Sequence, residues 1–147
     1  MSITIHRDGK GLADIVRRLK DHAVTVGVHA DAGSYPSGEL VADVAAWNEY
    51  GTERIPERSF LRATMAARRK KYAAIMATLA AAAIEGTDRI KPGMARLGEL
   101  ARNDVKDAIV KFDDPGNSEA TIAAKGRDDP LIDTRRLLTS VEYKHAD

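Results

Sequence analysis

Residues 47–62 read Trp-Asn-Glu-Tyr-Gly-Thr-Glu-Arg-Ile-Pro-Glu-Arg-Ser-Phe-Leu-Arg, and this stretch links two predicted helices through a compact loop. Gly51 can adopt a positive φ angle just past a helix end. Pro56 favours an extended conformation at the preceding residue and has no amide hydrogen. The chain must therefore turn and restart between Tyr50 and Arg58, which determines how the two helices meet.

Apolar residues recur at helical spacing on both sides of this loop. After it, Leu61, Met65, Tyr72, Met76, Leu79 and Ala83 follow one another at gaps of four, seven, four, three and four residues, which predicts one inward face on a long helix. Gly86 ends that helix. The predicted helices are about Leu12 to Asp21 after the chain breaks at Gly9 and Gly11, Leu40 to Tyr50, Arg58 to Ile84, Pro92 to Phe112, and a short helix capped by Asp133 or Thr134.

Strand patterns are few and short. The run Val24-Thr25-Val26-Gly27-Val28 places a valine at every second position, as in a half-buried strand. A second strand is predicted from Ser140 to about Lys144, and Ile3 and Ile5 indicate a third. We expect an α+β fold in which a small, mostly antiparallel sheet packs against two long helices and several shorter ones.

The chain length of 147 residues suits a single domain, residues 1–147. Two turn-rich segments, 31–39 and 113–130, are predicted as flexible loops, the second with one helical turn near Glu119 to Ala124. The 23 basic and 22 acidic residues leave a net charge of +1, which gives no nucleic-acid signal for the whole chain. The sequence has no cysteine and no apolar run of the ~20 residues that a membrane span needs.

Residue types used in catalysis and metal binding are present, but not in the patterns that those sites use. No two of the four histidines are separated by four residues on a predicted helix, and there is no His-Glu-x-x-His motif. The serines lack a Gly-x-Ser-x-Gly elbow. We therefore expect no enzyme activity, no metal and no cofactor.

A basic cluster surrounds the start of the long helix. Between residues 54 and 71 it contains seven basic residues, namely Arg54, Arg58, Arg62, Arg68, Arg69, Lys70 and Lys71. Two interpretations remain open: a solvated helix side, or a surface for acidic protein partners or DNA phosphate. Sequence-specific DNA readout is not expected, because the cluster has no interleaved aromatic residues.

The aromatic and apolar residues near the loop are predicted to lie either in the core or at a subunit interface. In a chain with 5% aromatic residues we interpret Trp47 as a core anchor. Apolar residues among charged neighbours around the loop suit a subunit interface. The candidate interface residues are Tyr50, Gly51, Thr52, Arg54, Ile55, Pro56, Arg58, Phe60 and Arg62.

Two separate segments carry a family resemblance. Asn48-Glu49-Tyr50-Gly51-Thr52, Ile55-Pro56 and Arg58-Ser59-Phe60-Leu61-Arg62 resemble the Asn-x-aromatic-Gly-Thr…Ile-Pro-x-Arg-x-Phe-Leu-Arg signature of tail-completion or neck proteins of long-tailed bacteriophages. Lambda minor tail protein Z belongs to the same broad group. Residues 130–143 resemble its second half, Pro-Leu-x-Asp-Thr-x-x-Leu-x-x-Ser-(aliphatic)-x-Tyr, except that Arg135 stands where the family often has Gly.

The resemblance implies a virion structural protein of the neck or proximal tail, present in the host cytoplasm during assembly. The implied protein partners are other copies of the chain in a ring and the neighbouring head-closure, tail-terminator or tail-tube proteins. Non-specific contact with the DNA in the channel is also implied, and no membrane partner is expected. A ring needs two different contact patches on each subunit. We assign one patch to residues 51–62 and the other to segment 31–39 or 113–130. The alternative function is a small, non-specific nucleic-acid-binding protein that uses the basic helix 62–71.

Overall fold

The computed structural model describes residues 9–20, 22–87 and 89–146, and it confirms the α+β fold. The predicted strand at Ile3 and Ile5 lies outside the described residues. In chain order the elements are α1 (Gly9–Lys20), β1 (Ala23–Val28), a 3₁₀ turn (Ala30–Ala32), α2 (Val41–Tyr50), α3 (Leu61–Ile84), α4 (Ile90–Val110), α5 (Glu119–Lys125), α6 (Arg136–Ser140) and β2 (Val141–Ala146).

Strands β1 and β2 form an antiparallel pair that α4 covers. Val28 lies opposite Val141, and Val26 lies opposite Tyr143, so the alternating valines share a face with β2 side chains. Gly98 lets α4 approach this face closely, since a Cβ atom at this position would lie only 2.6 Å from Cδ2 of Tyr143. The valine alternation thus marks the side of the sheet that packs against a long helix.

The hydrophobic core lies between the sheet, α2, α4 and the segment leading into β2. Its buried members are Ala45, Phe60, Val105, Ile109, Leu131, Leu137 and Val141. Helix α3 packs beside α4, where the Tyr72 hydroxyl donates to Asp104 Oδ2 over 2.9 Å. Only Thr64 and Ala83 of the 24 residues in α3 are buried, and Met76 of the predicted inward face is 53% exposed. Most of α3 therefore forms protein surface.

Three predicted boundaries are wrong. Helix α1 begins at Gly9 and includes Gly11, so these glycines do not break the chain. Helix α3 begins at Leu61, because the backbone amide of Arg58 donates to the Asn48 carbonyl oxygen over 2.6 Å and keeps that residue in the loop. Helix α6 begins after Arg135, so Arg135 rather than Asp133 or Thr134 is the N-cap; it has a φ of 61° and its side chain makes no capping hydrogen bond.

The two segments predicted as flexible loops contain defined structure. Segment 31–39 includes part of the 3₁₀ turn, and Ser34 forms an isolated bridge with Leu40. Segment 113–130 includes α5, which confirms the helical turn predicted there. Ser118 caps α5, since its hydroxyl accepts from the Thr121 amide over 3.3 Å.

Candidate subunit interface

The buried carboxylate of Glu49 joins the end of α2 to the start of α3. Glu49 is 4% exposed. Its Oε1 accepts from Ser59 Oγ and the Arg62 amide, each at 2.8 Å, and from Arg62 Nε at 3.0 Å. Its Oε2 accepts from the Leu61 amide at 2.8 Å. Because the first amides of a helix have no partner inside it and favour negative charge, Glu49 acts as the cap of α3.

Sequence reasoning missed this role of Glu49. A helix cap is normally sought in the residues adjoining the helix. Here the capping side chain belongs to the preceding helix, and Leu61 is twelve residues further along the chain. The only signal in the sequence was the position of Glu49 inside the quoted motif.

The loop after α2 is closed by its own hydrogen bonds. Gly51 has a φ of 74°, which confirms the predicted positive angle, and a Cβ atom there would lie 3.0 Å from the amide nitrogen of Glu57. Thr52 Oγ1 accepts from the amides of Arg54 at 3.2 Å and Ile55 at 3.0 Å. The Thr52 amide donates to the Ile55 carbonyl oxygen over 2.8 Å. Gly51 and Thr52 therefore define the loop conformation.

Arg58 lies inside the subunit, where its side chain binds other segments of the same chain, and its contact with a neighbouring subunit stays a prediction. It is 7% exposed, and its Nε donates to the carbonyl oxygen of Pro115 over 3.0 Å. Its Nη2 donates to the Gly116 carbonyl oxygen over 2.7 Å, and its Nη1 to Asn48 Oδ1 over 3.4 Å. Burial lowers the pKa of Arg58, while the charge of Asp128 acts in the opposite direction. The side chain is used to fasten the turn after α4.

Phe60 is also internal, and its assignment to the interface stays a prediction. It is 3% exposed and packs in the core with Ala45, Val105 and Val141. Its position just before α3 turns it towards α4 and the sheet rather than towards solvent. Part of the predicted interface motif therefore supplies core packing.

Two aromatic side chains near the loop lie at the surface, and one of them, Tyr50, is a candidate interface residue. Tyr50 is 65% exposed, and Trp47 is 39% exposed, so the interpretation of Trp47 as a core anchor is wrong. They are three positions apart, which is less than one helical turn and places both on one side of α2. The Arg62 guanidinium lies 4.5 Å from the centre of the Tyr50 ring. We call Trp47, Tyr50 and Arg62 the aromatic patch.

The loop beside the aromatic patch completes the candidate surface. Thr52, Arg54 and Pro56 are exposed, and Gly51 and Ile55 are partly exposed. Their role in subunit contact stays a prediction.

Internal ion pairs occupy much of the basic cluster. Arg62 binds Glu49, and its Nη2 lies 2.7 Å from Glu57 Oε1. Asp104 lies 3.9 Å from Arg68 and 3.4 Å from Lys71. Within the described part of α3, only Arg69 and Lys70 remain as exposed basic residues without a carboxylate at ion-pair distance. The free basic surface is thus smaller than the sequence suggested.

The described residues contain no group of three or more histidine, aspartate or glutamate side chains placed to hold a metal ion. Over the same ranges, no helix has the length and apolar character needed to cross a bilayer. Comparison with known proteins gave no significant match to a family model, a curated protein or a solved structure.

Proposed function

We propose that this protein is a bacteriophage virion structural protein of the neck or proximal tail, which acts in tail completion or head-tail joining as part of a ring. The sequence resemblance suggests the class of protein, and the aromatic patch carries the structural argument. Trp, Tyr and Arg are the residues most enriched among energetically important interface positions. Here one of each lies at the surface, at the junction of α2 and α3.

The buried residues of the motif hold this patch in a fixed arrangement. Glu49 accepts from both the amide and the Nε of Arg62, and the Glu49 carbonyl oxygen accepts from Arg62 Nη2 over 2.8 Å. These contacts hold the guanidinium above Tyr50. A side chain that is ordered before binding loses less conformational entropy on binding. The arrangement therefore suits recognition of a partner surface.

The two halves of the resemblance also meet in space. Leu131, Leu137 and Val141 from the second half share the core with Phe60 from the first half. The two resembling segments therefore belong to one structural unit, and this unit positions the aromatic patch. This contact supports reading the two halves as one signature.

The test is complementation of a phage that lacks this gene. Tyr50→Ala removes an exposed ring, so we expect a folded protein by circular dichroism but a clear loss of virions, because about 1.4 kcal/mol of lost contact weakens each subunit contact about tenfold. Ile84→Ala is the matched control, because Ile84 is 67% exposed at the opposite end of α3 and should give a normal yield. Normal virion yield from folded Tyr50→Ala would contradict the role of the patch.

Purified wild-type protein distinguishes the alternative function. Association with other copies or with tail-tube proteins in the absence of DNA supports the neck assignment. Binding to duplex DNA at low salt that weakens steeply as salt is added, without such association, would instead support a nucleic-acid-binding protein that uses residues 62–71.

A further inference from the structure

We propose that a groove between α3 and α4 receives Arg69 and Lys70 from a second copy of this chain. The inference rests on the proposed ring and identifies the two surfaces that meet in it. Contact between two different surfaces of identical subunits is the arrangement that a ring requires.

The groove is lined by apolar and charged residues and has a volume of about 360 Å³. We call its charged residues the rim and its apolar residues the floor. It lies between the first half of α3, the last half of α4 and the turn that follows α4. Its floor consists of Phe60, Ala63, Ala67, Ala108 and Phe112. Its rim contains Asp104, Asp107, Asp113 and Asp114 together with Arg68 and Lys111, four carboxylates and two basic groups.

The rim keeps carboxylates that its own subunit does not neutralise. Asp104 is engaged by the Tyr72 hydroxyl, Lys71 and Arg68. Asp107, Asp113 and Asp114 are exposed and form no ion pair with any residue of the described ranges. With two more carboxylates than basic groups, the groove suits a basic occupant.

Arg69 and Lys70 have the matching chemistry. Both are exposed on α3, and neither lines the groove of its own subunit. Their aliphatic stems can cover the apolar floor while their charged ends reach the rim carboxylates. Small neighbours, Ala66 and Ala73, allow another subunit to approach the helix backbone closely.

A charge-swap experiment tests this contact. The groove variant is Asp113→Lys/Asp114→Lys, and the helix variant is Arg69→Glu/Lys70→Glu. Self-association is measured by analytical ultracentrifugation at low salt. Each variant alone should associate at least about 100-fold more weakly than wild type, because like charges would face each other. An equal mixture should recover association, since the reversed groove of one variant then faces the reversed helix of the other.

Arg89→Glu/Lys91→Glu carries the same charge change as the helix variant, on exposed residues at the distant start of α4, and should associate like wild type. Absence of recovery in the mixture, or unchanged association of the single variants, overturns the proposed contact. Recovery to a species larger than a dimer supports both the contact and the ring. Recovery to a dimer only supports the contact but overturns the ring, so the two proposals fail separately.

Discussion

Replacing Glu49 by glutamine tests whether one buried carboxylate stabilises the junction of α2 and α3. Glutamine keeps the shape of the side chain, but it removes the charge and replaces one acceptor oxygen by an amide group. In the native structure both carboxylate oxygens are used, with three donors on Oε1 and the Leu61 amide on Oε2. Either orientation of the glutamine amide therefore leaves a donor facing a donor.

The expected cost follows from these contacts. A hydrogen bond to a charged group contributes about 1.5–3 kcal/mol, and a buried donor left without an acceptor costs about 1–3 kcal/mol. We expect Glu49→Gln to lower the free energy of unfolding by about 3–4 kcal/mol. For a chain of this length, that corresponds to a decrease in Tm of roughly 6–15 °C.

The assay is urea unfolding followed by circular dichroism. Glu57→Gln is the matched control, because Glu57 also binds Arg62 but its side chain is 56% exposed. Exposed ion pairs contribute little, so the control should unfold at nearly the wild-type urea concentration. Equal unfolding midpoints for Glu49→Gln and Glu57→Gln would refute the capping role of Glu49.

Two further substitutions test other parts of the structure. Arg58→Lys should lower the free energy of unfolding by about 2 kcal/mol and speed protease cleavage at residues 113–117, because an ammonium cannot reproduce the planar contacts with both carbonyl oxygens. The control Arg54→Lys, at an exposed position, should change neither stability nor cleavage. Wild-type stability and cleavage of Arg58→Lys would show that Arg58 does not fasten this turn. Arg135→Gly should raise the free energy of unfolding by about 0.5–1 kcal/mol. Glycine removes the strain energy of a left-handed backbone in the folded state, and this gain exceeds the cost of the greater conformational entropy that glycine gives the unfolded chain. Thermal unfolding measures this gain, and a lower Tm for Arg135→Gly would contradict the strain argument.

Arg135 has a backbone conformation that favours glycine. The signature that residues 130–143 resemble often has glycine at this position, and Arg135 has a φ of 61°. A φ in this region is one that glycine adopts without strain, so arginine at this position carries a backbone cost.

Local patterns in the sequence determined the secondary structure. Valine alternation predicted β1, the apolar spacing predicted the long helices, and Gly51 predicted the positive φ after α2. These features depend on interactions between near neighbours in the chain, so a single sequence can show them. The errors at Gly11 and at the start of α3 arose where context outweighed local preference.

Tertiary structure alone decided which motif residues are buried. Arg58 and Phe60 looked like surface residues next to Arg62, yet Arg58 finds carbonyl oxygens 57 and 58 residues away and Phe60 joins the core. Trp47, by contrast, lies at the surface. The burial of a side chain depends on which distant segments pack around it, and composition or periodicity near that side chain cannot specify them.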